Sequence, residues 1–96
     1  MSDSLVVLPA VAENLTEAFR ERELETRRAL LDELTAMFDK ILQRPRRFPV
    51  AYAQVQRALT PRFHFANFFE IVEDRSEVVI VGVPHQKRDP ALWSKR

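Results

Sequence analysis

Histidine and arginine are the side chains best placed to do chemistry in this sequence, because the chain contains no cysteine and so no thiolate nucleophile. His85 is the best candidate for a general acid or base, since histidine titrates near neutral pH. It lies four residues before Asp89, so the alternative is that it caps or hydrogen-bonds the start of a terminal helical turn. His64 stands between two phenylalanines and is expected to face solvent.

The basic residues are clustered, although the net charge is only +1. Residues 1–39 carry four arginines against nine acids, and residues 78–96 form a second basic segment. Clustered arginine favours phosphate or carboxylate partners, because the guanidinium binds either in a bidentate fork. The alternative is a solvated polar face. Residues 40–69 contain no acid and carry six basic residues, Lys40, Arg44, Arg46, Arg47, Arg57 and Arg62.

Length and composition predict one soluble domain spanning residues 1–96, with 46% hydrophobic residues available for a modest core. The N-terminus lacks the features of a signal peptide. No apolar run approaches the roughly 20 residues that cross a bilayer. A chain without cysteine suits the reducing cytosol. We therefore expect a cytoplasmic protein with no membrane association, no metal site and no cofactor.

The first half of the chain is typical of a strand followed by helices. Ser4–Leu8 is an apolar run that predicts a buried strand, and Pro9 suits the first turn of a helix. The polar segment Arg20–Arg28 then separates two apolar stripes, so we favour two antiparallel helices, the second ending before Pro45. The alternative is a single long helix with an exposed middle. The stripes are Val11, Leu15 and Phe19, then Leu31, Leu34, Phe38, Ile41 and Leu42.

The second half has the pattern of strands. Gln54–Leu59 and Phe63–Val72 are predicted strands, and in the latter Asn67 is the polar exception on a phenylalanine face. Glu73–Ser76 is a hairpin turn, and Glu77–Val83 should be a central strand buried on both faces. The predicted order is β-α-α-β-β-β with a short C-terminal helical turn, a small antiparallel-rich sheet on a helical hairpin, so the class is α+β.

That order resembles the RelE/ParE superfamily of toxins from type II toxin–antitoxin pairs. The similarity is carried by residues 65–93, FANFFEIVEDRSEVVIVGVPHQKRDPALW, and by the upstream segments ALLDELTAMFDKILQRPRRFP and VQRALTPRFHF. Two features depart from the family. The segment between the helices is shortened to RERELETRR, and Pro84 stands where relatives usually have an aliphatic residue, so the last strand must end or bulge there.

The resemblance implies a growth-inhibiting toxin, associated with plasmid stabilization and neutralised by a small acidic antitoxin. RelE-like members resemble ribosome-dependent mRNA endoribonucleases, whereas ParE-like members resemble inhibitors of DNA gyrase that are not known as hydrolases. Few basic residues are placed for the nuclease surface, so we favour the ParE-like branch. The alternatives are a RelE-like endoribonuclease and a non-toxic interaction domain of the same fold. We expect a homodimer or a toxin–antitoxin hetero-oligomer.

The resemblance also implies site residues. For a RelE-like activity the expected catalytic set is His85, Arg62 and Arg57. For binding to the target or the antitoxin, the expected residues are Arg46, Arg47, Arg57, Arg62, Lys87, Arg88 and Trp93. Each has a structural alternative: Arg88 can pair locally with Asp89, and Trp93 can be a core or lid residue.

Overall fold

A computed structural model describes residues 4–85, in which two helices pack on one face of a five-stranded mixed sheet. The strand order is β1-β5-β4-β3-β2, with β1 parallel to β5 and the other neighbours antiparallel. The predicted α+β class is confirmed. The elements are β1 (Ser4–Val7), α1 (Pro9–Arg20), α2 (Leu24–Gln43), a 3₁₀ turn (Pro45–Arg47), β2 (Val50–Tyr52), β3 (Val55–Leu59), β4 (Ala66–Val72), a second 3₁₀ turn (Glu73–Arg75) and β5 (Glu77–Gly82).

The two predicted helices are present, and arginine side chains stabilise the glycine-free turn between them. α1 begins with Pro9 in its first turn, where a missing N–H costs no hydrogen bond. The Arg22 guanidinium donates to the carbonyl of Ala18 at 2.9 Å, and Arg27 Nε donates to the carbonyl of Arg22 at 2.7 Å. These bonds satisfy carbonyl groups that the end of α1 leaves open. α2 ends before Pro45, as predicted.

The stripe that α2 buries differs from the predicted one by a rotation of the helix. Leu31 belongs to the predicted apolar stripe but is 48% exposed, and Leu30, outside that stripe, is fully buried. Adjacent residues on a helix point about 100° apart, so only one of the two leucines can face the sheet. The fully or nearly buried residues of α2 are Leu30, Leu34, Met37 and Ile41.

The sheet has one more strand than the sequence predicted. β2 was missed because it is only three residues long, is largely exposed and pairs with β3 in a shifted register. The predicted strand Phe63–Val72 starts later, at Ala66, because residues before it form a turn. β1 lies at an edge and is only partly buried, so its prediction as a buried strand was wrong in that respect.

β5 is central, as predicted, and lies between β1 and β4. Val78 and Ile80 face the helices and are fully buried, whereas Val79 and Val81 on the other face are half-buried. The expected burial on both faces was therefore wrong, because α1 and α2 cover the same face. The strand ends at Gly82, before Pro84, as predicted.

Replacing Ile80 with Ala should lower the free energy of unfolding by about 2–5 kcal/mol, because it removes a fully buried side chain from the centre of the core. Val79→Ala, on the opposite face of the same strand, should cost clearly less. Chemical denaturation measures both. A loss below about 1 kcal/mol for Ile80→Ala would contradict the burial of this strand.

Candidate functional site

Phe65 lies at the end of the sheet where two of the candidate residues, Arg62 and His85, are found. It is 1% exposed. Its N–H donates to Thr60 Oγ1 at 2.8 Å, and its carbonyl accepts the N–H of Thr60 at 2.9 Å. It also pairs with His85 in an isolated antiparallel bridge beyond β5, next to the bond from the Ala66 N–H to the carbonyl of Pro84. The turn after β3 and the chain after β5 therefore meet at one buried ring.

The imidazole of His85 packs against this ring. Its centroid lies 4.9 Å from that of Phe65, with the two rings nearly perpendicular at 84°. The Arg22 guanidinium is also placed over the Phe65 ring, 5.6 Å from its centroid, in a cation–π contact. The edge-on geometry is one that aromatic pairs prefer, so His85 has a packing role in the described structure.

A cleft of about 330 Å³ opens beside this cluster, between α1, the turn after it and the end of β5. The side chain of Asn14 spans its floor, where Oδ1 accepts the N–H of Val83 at 2.8 Å. Glu17 and Glu21, one helical turn apart, line the cleft together with Arg22. Because two carboxylates line this cleft with one arginine, its lining lacks the net positive charge that favours phosphate binding. Its full lining is Asn14, Glu17, Ala18, Glu21, Arg22, Phe65, Pro84 and His85.

Arg62 lies in the turn between β3 and β4. Glu33 of α2 holds this turn, because its carboxylate accepts the N–H of Arg62 at 2.8 Å and the N–H of Phe63 at 3.2 Å. The Arg62 side chain is exposed, and its guanidinium stacks over the Phe63 ring at 5.1 Å. Phe63 packs against the core under the helices, so the turn leans toward the helical face.

Arg57 lies on the opposite face of the sheet. It pairs with Phe68 in the β3–β4 register, and side chains alternate along a strand, so Arg57 shares a face with Val55 and Phe68. Tyr52 lies on this face as well, 45% exposed, with its ring centroid 5.9 Å from that of Phe68. Tyr52 was not singled out from the sequence, although an aromatic residue inside an arginine-rich segment was an available signal.

Arg46 and Arg47 lie at the other end of the sheet, in the 3₁₀ turn after α2. Gln56 holds this segment, because its buried Nε2 donates to the carbonyl of Pro45 at 2.6 Å and to that of Phe48 at 2.8 Å. The Arg46 guanidinium forms an exposed ion pair with Glu73 of the β4–β5 turn. The ion pair places the 3₁₀ turn Pro45–Arg47 beside the β4–β5 turn, at the opposite end of β4 from Phe65.

The residues expected to form one site are therefore distributed over separate surfaces. His85 and Arg62 lie toward the helical face, Arg57 lies on the open face, and Arg46 and Arg47 lie at the opposite end. Lys87, Arg88 and Trp93 lie outside the described residues. The role of Glu33 was not predicted, because it lies 29 residues before Arg62 and no local sequence pattern indicates this contact. Within residues 4–85 no acidic or histidine cluster could hold a metal ion, and no helix is long and apolar enough to cross a membrane.

Comparison with known proteins identifies the fold. No protein-family model and no curated protein matches the sequence. Among solved structures, the chain matches the E. coli RelBE toxin–antitoxin complex with a TM-score of 0.59 and 10% identity, over 88% of this chain and 96% of that one. It matches free E. coli RelE carrying two arginine-to-alanine changes with a TM-score of 0.62 and 12% identity, over 99% and 94%.

These matches confirm the expected fold, which this chain shares with RelE; at 10% and 12% identity they show the fold alone. Both structures are of RelE, so the preference for the ParE-like branch finds no support in them and stays a prediction.

Replacing His85 with Phe should lower the free energy of unfolding by less than replacing it with Ala, because Phe preserves an edge-on contact with Phe65. His85→Ala should lose about 0.5–1.5 kcal/mol more than His85→Phe, the value of an aromatic pair. Denaturant unfolding of the two variants tests this. Equal destabilisation by both would mean that the ring contact does not stabilise the fold.

Proposed function

We propose that this chain is the toxin of a toxin–antitoxin pair and that it inhibits bacterial growth by cleaving mRNA at the ribosome. The observation that carries the proposal is the match to RelE over 99% of the chain, at a TM-score of 0.62. The acid-free segment 40–69 supports a nucleic-acid target, because clustered arginines favour phosphate. Its target and its antitoxin would place the protein in the cytoplasm.

The partner that we propose is a small acidic antitoxin, bound in a hetero-oligomer. Leu24 and Leu31 are 68% and 48% exposed and lie seven residues apart, on one face of α2. Exposed apolar side chains on one helix face are typical of a protein-binding surface. The similar RelBE structure is a toxin–antitoxin complex. An amphipathic segment of the antitoxin that covers these leucines would also be attracted to the nearby arginines.

Cleavage of RNA through its 2′-OH requires a base or positioning group, an acid for the leaving oxygen and cations for the charge on phosphorus. We propose Arg62 and Arg57 as sources of positive charge that would contact different phosphates of one strand, because they lie on different faces of the sheet. His85 remains a candidate acid or base, although its contact with Phe65 and the acidic cleft beside it favour the packing role. Lys87, Arg88 and Trp93 remain candidates for contact with the target.

Inhibition of DNA gyrase, as in ParE-like proteins, is the second candidate function. One observation favours it: the three residues expected to cleave RNA do not converge within the described residues, and a gyrase inhibitor needs no such convergence. An interaction domain of the same fold that has lost toxicity is the third candidate.

Induced alone in bacteria, the chain should arrest growth, and transcript mapping should show new breaks at codon positions in translated mRNA. Co-expression of a small acidic protein encoded beside it should restore growth. His85→Phe tests chemistry at this position, because it keeps an aromatic ring against Phe65 and removes the imidazole nitrogens; if His85 is the acid or base, this variant should no longer produce the breaks. Arrest with intact transcripts and inhibited supercoiling in a purified gyrase assay would move the protein to the ParE-like function. Normal growth with abundant folded protein would remove the toxin proposal.

A further inference from the structure

The turn from Thr60 to Phe65 is held by an unusual number of bonds for a surface loop. Thr60 and Phe65 close its base with backbone and side-chain bonds, at 2.9 Å and 2.8 Å. Glu33 then fixes its middle from α2 by accepting two successive backbone N–H groups. Surface loops are usually mobile and carry function only when a scaffold positions them. This turn is positioned by both the sheet and a helix.

Arg62 at the tip of the turn is pre-organised to bind an anion. Its guanidinium stacks on the Phe63 ring, 5.1 Å from the centroid, which limits its rotamers and leaves its edge toward solvent. Neither the ion pair of Arg46 with Glu73 nor that of Arg75 with Glu77 includes Arg62. The planar guanidinium can donate two parallel hydrogen bonds to two oxygens of one phosphate.

His64 is the second exposed polar side chain of the turn. Its backbone is left-handed, with φ of 62°, and its N–H donates to the carbonyl of Thr60 at 3.1 Å. A residue other than glycine in this conformation costs about 1 kcal/mol, and such strain is concentrated at functional sites. His64 is exposed, so its imidazole is free to donate a hydrogen bond to an anion that reaches the turn.

We propose that this turn is a phosphate-binding element in which Arg62 and His64 contact the backbone of single-stranded RNA. The inference rests on the proposed function and specifies which part of the protein binds the RNA backbone. The turn lies within the acid-free segment 40–69, so no acid of that segment competes for the phosphate. Glu33 is the acid that touches the turn, and its oxygens bind backbone N–H groups without forming an ion pair to the Arg62 guanidinium.

Glu33 is accordingly a positioning residue. Its carboxylate accepts the backbone N–H of Arg62 and the backbone N–H of Phe63, the residue whose ring contacts the guanidinium. Loss of these two bonds would free both residues, so the affinity for RNA would fall although the arginine is still present. Gln in its place can still accept a hydrogen bond through its amide oxygen and should restore part of the affinity.

The test is fluorescence anisotropy of a labelled single-stranded RNA oligonucleotide with the full chain, from about 50 to about 200 mM salt. Arg62→Ala should weaken binding on the order of fivefold and reduce the salt slope by about 0.7, the share of one phosphate contact. Glu33→Ala should move affinity and slope in the same direction, with partial recovery in Glu33→Gln. His64→Asn, which tolerates the left-handed backbone, should weaken binding about twofold. Arg75→Ala, an exposed arginine in the Glu73–Arg75 turn, is the matched control and should leave binding unchanged.

Several results would overturn the proposal. One is unchanged RNA affinity in Arg62→Ala. Another is a Glu33→Ala variant that melts earlier but binds RNA with the original affinity and slope, because a purely structural role predicts that pattern. A loss confined to antitoxin affinity would make the turn a protein-docking surface instead. If the unmodified chain binds no RNA, this site is removed, and growth arrest in the same strains decides separately whether the proposed toxin function stands.

Discussion

The burial of Phe65 is the constraint on which the rest of this structure depends. A ring that is 1% exposed must have its neighbours in place, and these come from the β3–β4 turn, the segment after β5 and the turn between the helices. His85 and Arg22 cover the ring, while Thr60 satisfies both of its backbone groups. Buried backbone groups left unpaired would cost about 1–3 kcal/mol each, so this junction forms as a unit.

The sheet places the arginine side chains on separate surfaces, so they cannot all contact the same phosphate. Arg57 faces the open side of β3, whereas Arg62 is drawn toward the helices by Glu33. Arg46 is held beside the β4–β5 hairpin by Glu73. A single phosphate can therefore meet only one of these groups, but an extended polyanion can meet several. This distribution suits the recognition of a nucleic-acid strand or of a wrapping acidic segment better than that of a small anion.

The sequence predicted those features that depend on neighbouring residues. Pro9 set the start of α1 and Pro45 the end of α2, because proline restricts the local backbone directly. The choice between Leu30 and Leu31 depended on how the whole helix rotates against the sheet, so local spacing could not decide it. The candidate site depends on contacts between residues that are even farther apart along the sequence. Glu33 reaches a turn 29 residues away, and the face on which an arginine lies depends on strand register.

Amide hydrogen exchange of the turn from Thr60 to Phe65 tests most directly whether hydrogen bonds to Glu33 and between Phe65 and Thr60 both stabilise this turn. The N–H groups of Arg62 and Phe63 should be protected, and Glu33→Ala should accelerate their exchange about tenfold, the effect of losing a hydrogen bond to a charged group. The N–H of Phe65 bonds Thr60 instead, so its exchange should be unchanged in the variant. Fast exchange of Arg62 and Phe63 in the unmodified chain, or equal rates in the variant, would contradict this account.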